Sequence, residues 1–164
     1  MSRSSPPTRA HSIPPEEIVA VNQLRPYQIR AVAEVTYALT HTSVRACLVA
    51  PPGAGKTRCA FHIAAMTGRA IDVRVPTRAL AQQWQSRADS YFRALTTTEP
   101  VGVQIKTYAA KAPFMPSSLV ILDEAHHLLA NWGKQVLKDL SPDHKVLGLT
   151  ATPPYDKTGW DIFT

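Results

Sequence analysis

The sequence predicts an α/β fold built on a mainly parallel sheet, and three features of it carry that prediction. Short apolar runs recur along the chain, stretches with helical spacing lie between them, and the run ending at Ala50 passes straight into a turn rich in proline and glycine. Strands that alternate with helices pair in parallel with helices laid over the sheet faces, and ligands then gather at the carboxyl ends of the strands.

The elements follow in order. PYQIRAVAEVTYAL, from Pro26 to about Leu39, has no internal breaker and places Val32, Val35 and Leu39 at helical spacing, so it predicts a helix with proline in its first turn. RACLVA (45–50) reads as a buried strand, and Lys56 to about Met66 reads as a helix ended by Gly68. AIDVRV (70–75) is strand-like. Thr77 is suited to cap a helix from Arg78 to about Leu95, where Leu80, Trp84, Ala88, Tyr91 and Phe92 recur at three- and four-residue intervals. VGVQIKT (101–107), LVILDE (119–124) and KVLGLT (145–150) predict three further strands, with a helix from about Trp132 to Leu140 between the last two. No internal repeat is present.

Composition narrows the class. The 164 residues suffice for one domain with a real core, and 45% apolar content excludes a wholly disordered or fibrous chain. A formal charge of +6 favours contact with a polyanion. No apolar run reaches the roughly 18 to 20 residues that would span a bilayer, and residues 1–17, with four prolines, lack the apolar centre of a secretory signal. Residues 1–20 are expected to be a disordered tail, 21–155 the folded domain, and 156–164 the start of a linker or following segment. Cys47 and Cys59 have neither metal-site spacing nor disulfide density, which favours reduced thiols and a cytoplasmic location with no membrane partner.

The turn in LVAPPGAGKT names a ligand. Between a strand and a helix, Gly53 and Gly55 free the backbone of Pro52, Gly53, Ala54, Gly55, Lys56 and Thr57 to wrap phosphate oxygens; Lys56 can reach the outer phosphates and the Thr57 hydroxyl can ligate magnesium. The usual pattern opens with glycine; here Ala50 stands there, which ordinary backbone angles allow. A nucleoside triphosphate is the expected ligand. Hydrolysis also needs a carboxylate for the metal and a group that orients water. LVILDEAHH supplies both, with Asp123 toward magnesium and Glu124 toward the water, although an Asp-Glu pair also serves as an ordinary helix cap. His126 and His127 have no partner at zinc-site spacing and are expected to transmit the state of the pocket.

In sequence order, LRPYQ, APPGAGKT, VPTRALAQQW, TYAA, DEAHH and LTATP resemble the motifs of the first RecA-like domain of a superfamily-two DEAD/DEAH-box helicase or translocase, in the branch of restriction-enzyme motor subunits. The resemblance covers about Leu24 to Pro153 and implies a three-layer α/β/α P-loop domain using ATP and Mg2+. It implies that Gln28 reads adenine through two hydrogen bonds, with Arg25 and Tyr27 packing near the base. Pro76, Thr77 and Arg78 are implied to touch a nucleic-acid backbone, as are Thr107 and Tyr108, and DNA is expected in preference to RNA. Thr150 and Thr152 are implied to couple hydrolysis to movement by bonding towards His126 and Asp123, on a strand lying between the phosphate-loop and Asp-Glu strands.

Such motors close ATP between two RecA-like domains, and the second contributes an arginine. The expectation is therefore a chain that binds Mg-ATP but turns over slowly until a second RecA-like domain, from the rest of the native chain or a partner subunit, completes the cleft. Two other readings compete: a nucleic-acid-binding or scaffold module with a regulatory nucleotide pocket, and a P-loop phosphotransferase, which leaves LRPYQ and LTATP without roles.

Overall fold

A computed structural model describes residues 23–95, 102–126, 136, 138–152 and 162–163. The expected tail, His127 and most of the helix expected over 132–140 lie outside them. Helix α1 spans Pro26–Tyr37 with Pro26 at its first position, where a missing N–H costs no hydrogen bond. Gln28 reaches back to cap it, its Oε1 accepting from Arg25 N at 2.8 Å. At Ala38–Thr42 the helix widens into a π turn in which Thr40 Oγ1 donates to Thr36 O at 2.7 Å. Strand β1 is Arg45–Val49, helix α2 is Lys56–Thr67, and α2 ends at Gly68 in left-handed backbone (φ 65°).

Strand β2 is Ile71–Val75 and helix α3 is Arg78–Leu95; Thr77 Oγ1 caps α3 by accepting from Leu80 N at 3.2 Å. Strands β3 (Val103–Thr107), β4 (Leu119–Asp123) and β5 (Lys145–Thr150) follow, with a 3-10 turn at Tyr108–Ala110. A two-residue strand, β6 (Ile162–Phe163), pairs with Ala46 and Cys47 of β1 within the stretch expected to begin a linker. The spatial order is β3-β2-β4-β5-β1-β6 and every pairing is parallel.

Strand residues alternate between the two faces. Ala46, Leu48, Ile71, Val73, Leu119, Ile121, Leu147 and Leu149 face α1, α2 and α3 and form the main core with Val35, Phe61, Ile63 and Trp84. Val120, Leu122 and Val146 face the other way and pack with Tyr108, Phe114, Ala125, Val136 and Leu140. All three described helices therefore lie on one face. The connection 108–118 and the residues near 136–140 cover the other.

An ion pair sits inside that second face. Arg74 Nε lies 2.8 Å from Asp72 Oδ1, both on β2 and both buried. Asp72 Oδ2 also accepts from Gln104 Nε2 and Met115 N, each at 2.9 Å, while Arg74 Nη1 donates to Ala112 O at 3.0 Å and its guanidinium lies over the Phe114 ring. Every polar group of the pair is thus satisfied, and the pair binds the 112–115 segment to the sheet. Cys47 and Cys59 are free and buried, and burial pushes the Cys47 thiol up to about 12. No described helix is long and apolar enough to cross a membrane.

Candidate active site

The carboxyl ends of five strands share one rim of the sheet. Along it lie Thr107 after β3, Pro76 to Arg78 after β2, Asp123 and Glu124 at β4, Thr150 and Thr152 at β5, and the glycine loop after β1. As expected, β5 separates the strands that carry the glycine loop and the acidic pair, so two strand spacings, about 10 Å, lie between the ends of β1 and β4.

The glycine loop owes its shape to two left-handed residues, Gly53 (φ 79°) and Gly55 (φ 83°). Ala50 is not among the non-glycine residues with positive φ, so the alanine fits in ordinary backbone. The apex is held from α1: Ala54 O accepts from Gln28 Nε2 at 2.7 Å and from Tyr27 Oη at 2.9 Å. A Cβ on Gly55 would collide with Gln28 Nε2. Gln28 thus spends one acceptor site on Arg25 N and one donor on Ala54 O, which leaves one donor and one acceptor, the pair that an adenine edge exchanges. Lys56 Nζ donates to Ala50 O at 2.8 Å and Pro51 O at 3.2 Å, and an ammonium keeps a third hydrogen for a phosphate.

Across the cleft, Asp123 is fixed at both ends of its carboxylate. Oδ2 accepts from Trp84 Nε1 at 2.9 Å and Oδ1 from Glu124 N at 2.9 Å, while the Asp123 carbonyl accepts from Tyr108 Oη at 2.7 Å. Burial, with Asp123 and Glu124 beside it, pushes the Tyr108 phenol far up, so it stays a donor. Glu124 has left-handed backbone (φ 52°). Thr150 Oγ1 lies 3.0 Å from His126 Nδ1, gives its single proton to Thr152 O and accepts from Thr152 N, so the ring proton is assigned to Nδ1. That same Nδ1 is 3.4 Å from Glu124 Oε2. The expected contact of Thr150 with His126 is present; Thr152 bonds to Thr150.

Arg25, Gln28, Gly53, Gly55, Lys56, Thr57, Asp123 and Glu124 line one cleft of about 1240 Å³. Its other wall, which the sequence motifs do not announce, is Arg58 with Ser86, Arg87, Ser90 and Tyr91 of α3. Thr77 and Arg78 are exposed, and Val75, just before them, pairs in register with Thr107. Tyr108, grouped with Thr107 in the sequence, is buried under Asp123. Trp84 is not marked as a site residue by the sequence, and Tyr108 is expected at a nucleic-acid backbone instead of behind Asp123, because a core aromatic reveals only its apolar body in periodicity; its polar tip finds a partner in the fold.

The cleft suits a phosphate ligand. Left-handed glycines leave room for it, Lys56 offers charge, and a hydroxyl with a carboxylate suits a magnesium ion that takes its remaining ligands from phosphate and water. No group of three His, Cys, Asp or Glu side chains able to cage a metal occurs among the described residues.

A parallel sheet with this loop and this acidic pair flanking one strand defines a RecA-like P-loop domain of the superfamily-two helicases and translocases. The chain belongs to the type III restriction enzyme res-subunit family, whose profile matches residues 22–112 and 89–155. It is 31% identical over 157 residues to the DNA 3'-5' translocase XPB2 of Sulfurisphaera tokodaii, a match covering 86% of this chain and 33% of that protein. Among solved structures it resembles the Type ISP restriction-modification enzyme LlaGI bound to a DNA substrate mimic (TM-score 0.65, 19% identity, 87% of this chain and 19% of that one). It also resembles the Sulfolobus solfataricus SWI2/SNF2 ATPase core bound to dsDNA (TM-score 0.60, 20% identity, 80% and 32%). The chain spans between about a fifth and a third of the length of the curated relatives it matches.

Proposed function

We propose that the chain is the ATP-binding motor domain of a DNA-dependent helicase or translocase. The observation that carries this reading is the single cleft on which Lys56, Thr57, Asp123, Glu124 and Gln28 converge from three separate parts of the sequence. Gln28 presents its spare donor and acceptor to adenine, with Arg25 at the same wall. The backbone from Pro52 to Thr57 wraps the phosphates and Lys56 holds their outer oxygens. Thr57 and Asp123 are the protein ligands toward magnesium, whose charge, when it is bound, offsets that developing on the phosphate. Glu124 orients the attacking water, and His126 with Thr150 and Thr152 reports the state of the site to the rim.

Nucleic acid lies further along the rim, on Pro76, Thr77, Arg78 and Thr107, as sequence-independent backbone contacts. Relatives and neighbours named as DNA translocases or solved with DNA favour DNA over RNA. A second RecA-like domain supplies the arginine that accelerates transfer, an effect of roughly a thousandfold or more.

The test is a pair of measurements on wild type and Glu124→Gln. Wild type is expected to bind a fluorescent ATP analogue in a Mg2+-dependent way and to hydrolyse ATP slowly by itself. Glu124→Gln should bind equally and lose hydrolysis. Binding without any effect of Glu124→Gln on turnover would instead favour a scaffold with a regulatory pocket.

A further inference from the structure

The side chain that aims the Asp123 carboxylate comes from the core of α3. Trp84 is 2% exposed, wedged edge-on against Phe61 with ring centroids 5.2 Å apart, and Phe61 in turn stacks on Tyr91 at 5.0 Å. The indole has one polar atom, a donor, and it points out of this aromatic cluster to Asp123 Oδ2 at 2.9 Å. The opposite oxygen is held by Glu124 N. With one donor on each oxygen, the carboxylate cannot swing about its Cβ–Cγ bond without breaking a hydrogen bond, and Asp123 lines the cleft.

We propose that Trp84 is a positioning residue for the magnesium ion, its indole N–H fixing the direction in which Asp123 presents its oxygens. The inference rests on the reading of the cleft as a Mg-nucleotide site. Neither apolar periodicity nor the glycine and acidic motifs mark Trp84 for this role; it lies 39 residues from Asp123 and on the buried side of α3. Partners that orient a metal-binding carboxylate typically change metal affinity by about 10- to 100-fold when removed.

The experiment compares wild type, Trp84→Phe and Ala88→Gly. Phenylalanine keeps a buried ring and deletes the donor; Ala88 is buried one turn further along α3 and does not line the cleft. Binding of a fluorescent ADP analogue is followed in EDTA and across a Mg2+ titration. Expected is a half-saturating Mg2+ concentration raised about 10- to 100-fold in Trp84→Phe, with metal-free affinity kept and Ala88→Gly at the wild-type midpoint. An unchanged midpoint in Trp84→Phe, or an equal shift in Ala88→Gly, overturns the proposal. If wild type itself shows no Mg2+ dependence, the Mg-nucleotide reading falls and this inference with it.

A second measurement does not need the variant to fold. In 15N-labelled wild type holding ADP, the indole N–H resonance of Trp84 should move when Mg2+ is added. A resonance that stays in place while nucleotide affinity rises overturns the role.

Discussion

Glycine and glutamate occupy the same left-handed backbone region at this site for opposite reasons. Gly53 and Gly55 are there without strain, whereas Glu124 holds φ 52° against a steric cost of about 1–2 kcal/mol. Its neighbours enforce that angle, because the peptide before it is pinned by Tyr108 Oη and its own N–H by Asp123 Oδ1. The two glycines differ in what surrounds them. A Cβ on Gly53 meets nothing within 4 Å, while one on Gly55 meets the Gln28 amide. Gly53→Ala is therefore expected to lose about 1–2 kcal/mol of stability. Gly55→Ala should lose more, since Gln28 must also let go of Ala54 O. Urea denaturation of both variants measures the difference, and equal losses would remove Gln28 from the account. At this scale the charged and glycine residues that converge on the cleft were legible, because their types and spacing stand out in the sequence alone. The bonds of Trp84 and Tyr108 to Asp123 and the place of Arg87 at the cleft were not, because they depend on which element packs beside which.

Among the elements, helices and strands were legible alike: the helix expected from Arg78 to about Leu95 spans Arg78–Leu95, and β1 to β5 keep within two residues of their expected bounds. β4 and β5 are buried on both faces and read as apolar runs, so their extents emerge from composition alone. β2 is also buried along its length, yet carries Asp72 and Arg74, and nothing in the letters IDVRV says that the two charges face inward together. Apart from Gln104 of β3, their partners come from the 112–115 segment, which has no periodicity to read. Breaking a buried pair by removing one member costs about 3–5 kcal/mol, because the other charge stays buried. Arg74→Leu is expected to show a loss of that size in urea unfolding, and Asp72→Asn with Arg74→Leu together should recover part of it. A loss below about 1 kcal/mol would mean that the pair is worth no more than a surface contact. β6 was missed for a simpler reason: two residues are too few to show a pattern.

For the molecule as a whole, the topology turns a linear list of motifs into one rim. The order of the motifs announced the fold class, and the position of β5 between β1 and β4 agrees with it. Periodicity could not show that α1, α2 and α3 share one face, because it reveals that a helix has an apolar side and not which side of the sheet receives it. A rim assembled from strands so distant in sequence has a consequence for its dynamics. Thr57 and Asp123 are 66 positions apart, and they line one cleft only while the intervening sheet is intact. Nucleotide should accordingly slow amide hydrogen exchange in the loops after β1, β4 and β5 to a similar degree, since each can open only when the shared occupant leaves. Protection confined to the glycine loop would show three independent anchors instead of a common latch.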